Sequence, residues 1–358
     1  MEVGRPGRAR RGVRRRGRVP RSLQASGRTM ADPELGLIAR QELRRAANPL
    51  ALFCNGIGDH ILTLPAIRAL AEMLGGRLTL ACLPGARELF FADLPLAGVC
   101  ELRTTSVENG VISFDADDLA ARVTHCDLLV YLNRAVTDCV GRVQELLVPE
   151  ASVGLFPQFD YAVPFRRGVH AADLAFEIPR ILDPSLTIDS FAQPLGLPPE
   201  YRLAAKQFRA LLPPGTRVMA VHTETARDKM WPIGCFQAAL SAFLERHPEF
   251  WILLVGEHEP ALKAPRMLSC CGVELPMSLA IVSEASCFLG VDSCLLHAAD
   301  LCGVPGVGLF GPTSPEEFGF RFSSGVHVRS GETMQAISEA DVLHALEGVT
   351  AVLAGTQP

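Results

Sequence analysis

Long hydrophobic runs are missing from this sequence. Across its 358 residues, Arg, Asp, Gly or Pro interrupts every apolar stretch before it nears the roughly 18 to 20 residues a membrane-spanning helix needs. A soluble, cytoplasmic protein with no transmembrane segment is therefore expected. Lysine is scarce as well: only Lys206, Lys229 and Lys263 stand among 34 basic residues, and arginine supplies the rest. That skew is what a GC-rich coding sequence produces, so it speaks to a bacterial source rather than to chemistry. Metal-ligand spacing is also lacking. The 11 cysteines form no CxxC pair and have no His partner at metal spacing. They fit thiols packed as small hydrophobes in a reducing compartment, with no disulfide framework, no zinc and no cofactor.

Outside one segment the chain also lacks net positive charge. Ten arginines fall between Arg5 and Arg28, with Glu2 the only acid among the first 29 residues. The remainder carries 24 basic and 38 acidic groups, a formal charge of −14. A nucleic-acid-binding domain needs clustered Arg and Lys on its folded surface, so nucleic acid is excluded as a partner of the body. The basic arm has no apolar h-region and is not a secretory signal. Three readings remain, a transit peptide, a nucleic-acid tail, or sequence upstream of a start at Met30, and the last is favoured.

What is present is an alternating rhythm. With 48% hydrophobic and 20% charged residues, the chain has material for two cores. Leu50–Cys54 reads as a strand ending at Asn55-Gly56, and Ala66, Ile67, Ala69, Leu70, Met73 and Leu74 repeat at helical spacing. Leu78–Leu83 and Leu128–Leu132 are further strands. The stretch 156–199 shows no clean period and reads as surface connections lining a cleft. After a Pro-Gly linker at 211–215 the rhythm restarts. Strands are expected at 217–222, 250–255, 287–291 and 307–310, with helices at 233–245 and 295–301. The class is α/β: two Rossmann-like domains of parallel strands with right-handed crossovers, facing a central cleft.

Three segments carry candidate chemistry. In Asn55-Gly56-Ile57-Gly58-Asp59-His60, Gly56 and Gly58 allow a ligand close to backbone amides at a helix start. A dinucleotide fingerprint fails there, because Ile61 takes the third glycine position and the second strand ends without an acid for a ribose. Asp59 reads either as an N-cap or as a general base facing the cleft, and taken alone the cap is favoured. Pro65 predicts a kink or a late start for the helix. In the segment 223–232, Thr223 and Thr225 precede Lys229, which suits a phosphate unless it is simply a solvated loop lysine. In the segment 288–297, Asp292 and Ser293 sit between strand and helix, where free amides suit an anion. Asp292 is equally compatible with capping, and His297 with a core histidine. The acidic run Asp115-Ala116-Asp117-Asp118 has the DxD spelling of metal-dependent transferases and reads as a solvated turn.

Together these segments resemble glycosyltransferase family 9, the lipopolysaccharide heptosyltransferase-like enzymes. NGIGDHILTLPAIRAL (55–70) is similar to that family's glycine-Asp-helix signature. VHTETARDKMWP (221–232) is similar to its hydroxyl-rich loop ending Lys-x-Trp-Pro, and GVDSCLLHAADLCGVPGVGLFGPTSPEEFG (290–319) to its Asp-Thr/Ser-Gly-x-x-His stretch.

The resemblance implies a GT-B fold. Its parts are a basic arm and lead-in (1–45), an acceptor-side domain (46–212), a nucleotide-sugar-binding domain (213–337) and a helix (338–358) packing back across the junction. It implies metal-free, inverting transfer of a heptose or hexose from a nucleotide-sugar donor to a hydroxyl-bearing small molecule or glycan. The acceptor is read as a secondary metabolite or envelope glycan, which points to antibiotic or lipopolysaccharide biosynthesis. In that scheme Asp59 is the base and Lys229 neutralises the diphosphate. Gly56, Gly58, Thr223, Thr225, Asp292, Ser293, Cys294 and His297 form the donor site, and Glu257 accepts from the ribose. Two departures stand out: Cys294 replaces a glycine, and Glu224 adds an anion to the phosphate loop. They motivate the alternative of a catalytically impaired nucleotide-sugar-binding or partner protein.

Overall fold

The computed structural model describes residues 33–353 apart from 109, together with 355. The basic arm and its possible start at Met30 lie outside the described residues. Helix α1 (Pro33–Arg44) leads into strand β1 (Pro49–Leu52), helix α2 (Ile57–Met73) and strands β2 (Thr79–Cys82) and β3 (Gly98–Glu101). An antiparallel hairpin, β4 (Thr104–Glu108) with β5 (Val111–Phe114), precedes α3 (Ala116–Val123) and β6 (Leu128–Tyr131). The first half closes with α4 (Asp138–Leu147), β7 (Ala151–Gly154), the short β8 (Tyr161–Ala162) and α5 (Ala171–Leu182).

The second half begins with α6 (Pro199–Ala210), β9 (Arg217–His222), α7 (Ile233–Arg246), β10 (Phe250–Gly256) and β11 (Met267–Cys271). It continues through α8 (Leu275–Ser283), β12 (Cys287–Val291), α9 (Cys294–Leu301) and β13 (Gly306–Phe310). It ends with α10 (Pro315–Phe318), β14 (Gly325–Arg329) and α11 (Glu339–Leu353). Among the described residues no helix is long and apolar enough to cross a membrane.

Each half is built on a six-stranded parallel sheet, in the orders β3-β2-β1-β6-β7-β8 and β11-β10-β9-β12-β13-β14. Counted within each half, with the hairpin set aside, both follow the doubly wound order 3-2-1-4-5-6. The order therefore reverses between β1 and β6 and again between β9 and β12, and crevices form at the carboxyl ends of those pairs. The strands are buried on both faces, as Leu50–Leu52 and Cys287–Val291 show, so they read as short continuous apolar runs.

Between the sheets, α2 packs on α5 and α9, and residues of both halves share one core that includes Ile61, Leu64, Phe176, Phe288 and Leu296. Everything from His60 to Ala71 in α2 is buried, the pattern of a helix enclosed on all sides. That enclosure explains why α2 runs from Ile57 through Pro65 to Met73 as one helix instead of starting late: tertiary burial offsets the backbone hydrogen bond that proline removes.

Three expectations change. The stretch 156–199, read as surface connections, holds the buried helix α5, whose Leu174, Phe176 and Ile178 pack into the shared core. Helix α6, expected with the first half, packs on α8, where the Tyr201 hydroxyl donates to Glu274 at 2.6 Å. The carboxyl-terminal helix was expected to pack back across the junction. Instead α11 lies on its own half beside α7, β13 and β14. The reason is the apolar face it must cover: Val342, Leu346 and Val349 are buried with Trp231, Phe236 and Phe250 in a second core.

Candidate active site

The two crevices face each other, and the candidate residues come from the four loops at the switch points. After β1 the chain turns at Gly56, the N-cap of α2, which has no side-chain cap bond. Asp59 is the third residue of α2, so the capping reading falls: its carboxylate is inside the first turn, not at the cap position. The Asp59 pKa is raised from 3.8 to about 6, chiefly by burial and further by the Asp292 carboxylate, while Arg134 and Lys229 oppose the shift. Those three partners come from the loops after β6, β12 and β9, so Asp59 faces groups of both halves across the cleft.

Gly58 has a packing role. A Cβ there would sit 3.1 Å from His297 Cδ2 and 3.6 Å from the Cys294 Cα, so its missing side chain lets α2 and α9 approach each other. Gly56 is open by comparison, its nearest neighbour for a Cβ being the Asp59 carboxylate at 3.9 Å.

The second half supplies cation and amides. Residues 227–229 form a single 3-10 turn, which brings Lys229 Nζ to 3.1 Å from Asp292 Oδ2 and 3.2 Å from the Asp292 carbonyl. The Thr225 hydroxyl donates to the same carbonyl at 3.0 Å. Neither Lys229 as a solvated lysine nor Asp292 as a cap survives this geometry, because Asp292 is buried and paired. Ser293 is the N-cap of α9, and its buried hydroxyl has no partner among the described residues. His297 Nε2 lies 3.6 Å from Asp292 Oδ1, a distance compatible with an ion pair. Burial nevertheless lowers its pKa to about 4, with Asp292 opposing, so the imidazole is neutral at pH 7. Its Nδ1 is buried and unpartnered among the described residues.

The two departures from the family pattern take definite positions. Glu224 reaches the end of β10 and lines the cavity described below. Its carboxylate accepts from the backbone N–H groups of Glu257, at 2.6 Å, and His258, at 3.0 Å. A Cβ on Gly256 would displace that carboxylate, so a side chain there would shift Glu224 from its amides. Glu257 itself is exposed, with its amide committed to Glu224. Cys294 opens α9, and burial pushes its thiol up to about 11, which keeps it neutral. Beside the Lys229 turn lies a cavity of about 530 Å³ lined by Thr223, Arg227, Met230, Trp231, His258 and Glu259, among others.

The acidic run 115–118 is a helix start and not a turn. Asp115 caps α3 by accepting from the Asp118 N–H at 3.0 Å, and Asp117 pairs with Arg142 at 2.9 Å. Among the described residues no group of three or more His, Cys, Asp or Glu is placed to hold a metal ion. Sequence reasoning missed Arg134, Glu317 and Arg321, which join the halves. The only signal was the position of Asn133-Arg134 directly after a central strand.

Two facing Rossmann-like units with polar groups at both switch points define the GT-B fold. Residues 188–344 match the model of glycosyltransferase family 9 (heptosyltransferase). That segment includes the second and third sequence signatures, whereas the first lies outside it. The chain resembles the glycosyl transferase family 9 structure from Veillonella parvula over 86% of its own length and 97% of the other's, at 16% identity and TM-score 0.69. It also resembles the E. coli ADP-heptose lps heptosyltransferase II (13% identity, 86% and 99% covered, TM-score 0.62). The E. coli heptosyltransferase WaaC with ADP is a further likeness (16%, 84% and 99%, TM-score 0.60). No curated protein matches the sequence at a significant level. Residues 188–344 thus match the family 9 model, and the chain shares its overall fold with these heptosyltransferase structures.

Proposed function

We propose that the protein transfers a heptose or hexose from a nucleotide-sugar donor to an acceptor hydroxyl, with inversion and without a metal. The carrying observation is that Asp59 of the first half faces Lys229 and Asp292 of the second. The acceptor approaches from the first half, and its hydroxyl oxygen attacks the anomeric carbon as its proton passes to Asp59. The bond from that carbon to the diphosphate oxygen breaks, and the nucleoside diphosphate leaves with the electron pair. Lys229, the Ser293 hydroxyl and the free amides of α9 stabilise the departing charge, which is general-base plus electrostatic catalysis.

A carboxylate with a pKa of about 6 is ionised at pH 7 yet basic enough to take a proton in the transition state. The cavity beside Lys229 is large enough for a nucleoside. Relatives with the same fold include one solved with ADP, which supports a nucleotide donor. Glu224 is turned onto the 257–258 amides and Cys294 is a neutral thiol, so neither favours the impaired-binder alternative.

The test is a nucleotide-sugar panel read by thermal shift, followed by assay of nucleoside diphosphate release with EDTA present. One donor should stabilise the protein and be turned over at an unchanged rate in chelator. Stabilisation without product under any acceptor would support the binder reading, and strict dependence on Mg²⁺ or Mn²⁺ would overturn the metal-free mechanism.

A further inference from the structure

Asn133 and Arg134 follow β6, the strand beside β1 at the first switch point. Asn133 is buried: its Oδ1 accepts from the Cys54 N–H at 2.9 Å, and its Nδ2 donates to the Cys54 carbonyl at 2.6 Å. This pair of hydrogen bonds ties the loop after β6 to the loop that delivers Asp59. Arg134 then reaches into the second half. Its Nη2 donates to Glu317 Oε2 of α10 at 2.7 Å, and the guanidinium lies 4.8 Å from the ring centroid of Phe318 and 5.6 Å from that of Phe165. The other Glu317 oxygen accepts from the Gly168 N–H of the first half at 2.8 Å. Glu317 thus holds two first-half segments at once.

The arrangement is expensive for a purely structural contact. Both side chains of the pair are only 17% exposed, and Arg134 Nε is buried with no partner among the described residues. A desolvated ion pair with an unsatisfied donor contributes less to stability than well-packed apolar side chains of similar volume.

We propose that Arg134 is a positioning residue for the reaction: clamped by Glu317 and the two phenylalanines, it fixes a positive charge beside Asp59 when the halves are closed, holding the carboxylate in its proton-accepting form. The proposal rests on the reading of Asp59 as the base. Around Asp59 the charged groups are Arg134 from the β6 loop, Lys229 from the β9 loop and Asp292 from the end of β12. His297 and Cys294 of α9 and the buried His60 of α2 are neutral at pH 7. On α5, Asp173 pairs with Arg321 and Glu177 with Arg180, while Arg87 and Glu88 are exposed. Among the described residues Arg134 and Lys229 are therefore the two cations that oppose the burial of Asp59, and Arg134 is the one that shares a half with Asp59 and is clamped by the other half.

The experiment follows the carboxyl carbon of Asp59 by NMR in full-length protein labelled at aspartate Cγ, assigned by its loss in Asp59→Asn. Arg134→Met should raise the Asp59 midpoint by about half a pH unit or more, and Arg134→Lys should restore most of it. Glu317→Gln removes a negative charge, which by field alone lowers the midpoint. If Glu317 is the clamp, the midpoint rises instead because the guanidinium is released. An unmoved or lowered midpoint in Glu317→Gln, or an unmoved one in a folded Arg134→Met, overturns the proposal. Should Arg134→Met fail to fold, Glu317→Gln decides alone. Nucleotide release from ADP-heptose, used as the probe donor, is measured in parallel. If the resonance moves but the acid limb of kcat/KM does not follow, Arg134 acts on Asp59 as proposed and the base assignment of Asp59 is what fails.

Discussion

Replacing Asp59 with Asn separates a catalytic carboxylate from a capping one, because the two roles predict opposite changes in stability. The carboxyl is held at about 6, against 3.8 when free, mainly by burial. A raised pKa means that folding favours the protonated form. Its contribution is fully present below pH 3.8 and is lost as pH rises through 6, so at pH 7.5 the ionised side chain is a burden on the fold. The full difference of about 2 pH units corresponds to about 3 kcal/mol. Asp59 is partly solvent-accessible, which reduces the expected effect to about 1–2 kcal/mol. Asparagine has the same shape without the charge, so Asp59→Asn should raise the melting temperature at pH 7.5 by a few degrees. Near pH 4, where the wild-type carboxyl is itself protonated, the gain should vanish. Turnover should fall by about 10²- to 10⁴-fold while donor affinity is retained. A melting temperature at pH 7.5 equal to or below wild type would refute the argument, since it would mean that the carboxylate is not desolvated or that it supports α2 after all.

Three further substitutions probe the opposing half and the contact between halves. Lys229→Ala should weaken ADP binding by tenfold or more in calorimetry and slow transfer, because Asp292 then faces the diphosphate unpaired; unchanged affinity would remove Lys229 from the site. Glu224→Ala strips the 257–258 amides of their acceptor and should lower the melting temperature by the loss of about 1–3 kcal/mol, whereas an unchanged melt would show that water replaces the carboxylate without penalty. Gly58→Val, which forces a side chain against His297 and the α9 backbone, should reduce both stability and donor affinity, while Gly56→Ala, with open space around it, should match wild type in both measurements.

Much of the fold was determined locally. Strands β9 and β12 run over the residues their apolar pattern marks, and α9 and β10 deviate by one residue at an end, because central parallel strands are continuous apolar runs bounded by turns. The candidate site was legible in part for the same reason: Asp59, Lys229 and Asp292 each sit just past such a strand, and strand ends at switch points are where α/β folds place ligands. Tertiary structure decided the rest. Helix α5 carries Pro179 and was hidden by it, yet it forms because α2 covers its apolar face. Nothing near α11 in sequence marks the sheet face it covers. Whether Asp59 caps or faces the cleft depended on three residues of register at the start of α2, and whether Glu224 crowds the diphosphate depended on two backbone amides 33 and 34 residues away. Arg134 drew no attention because its partner, Glu317, lies 183 residues on, and only the approach of the two halves brings such distant charges into contact.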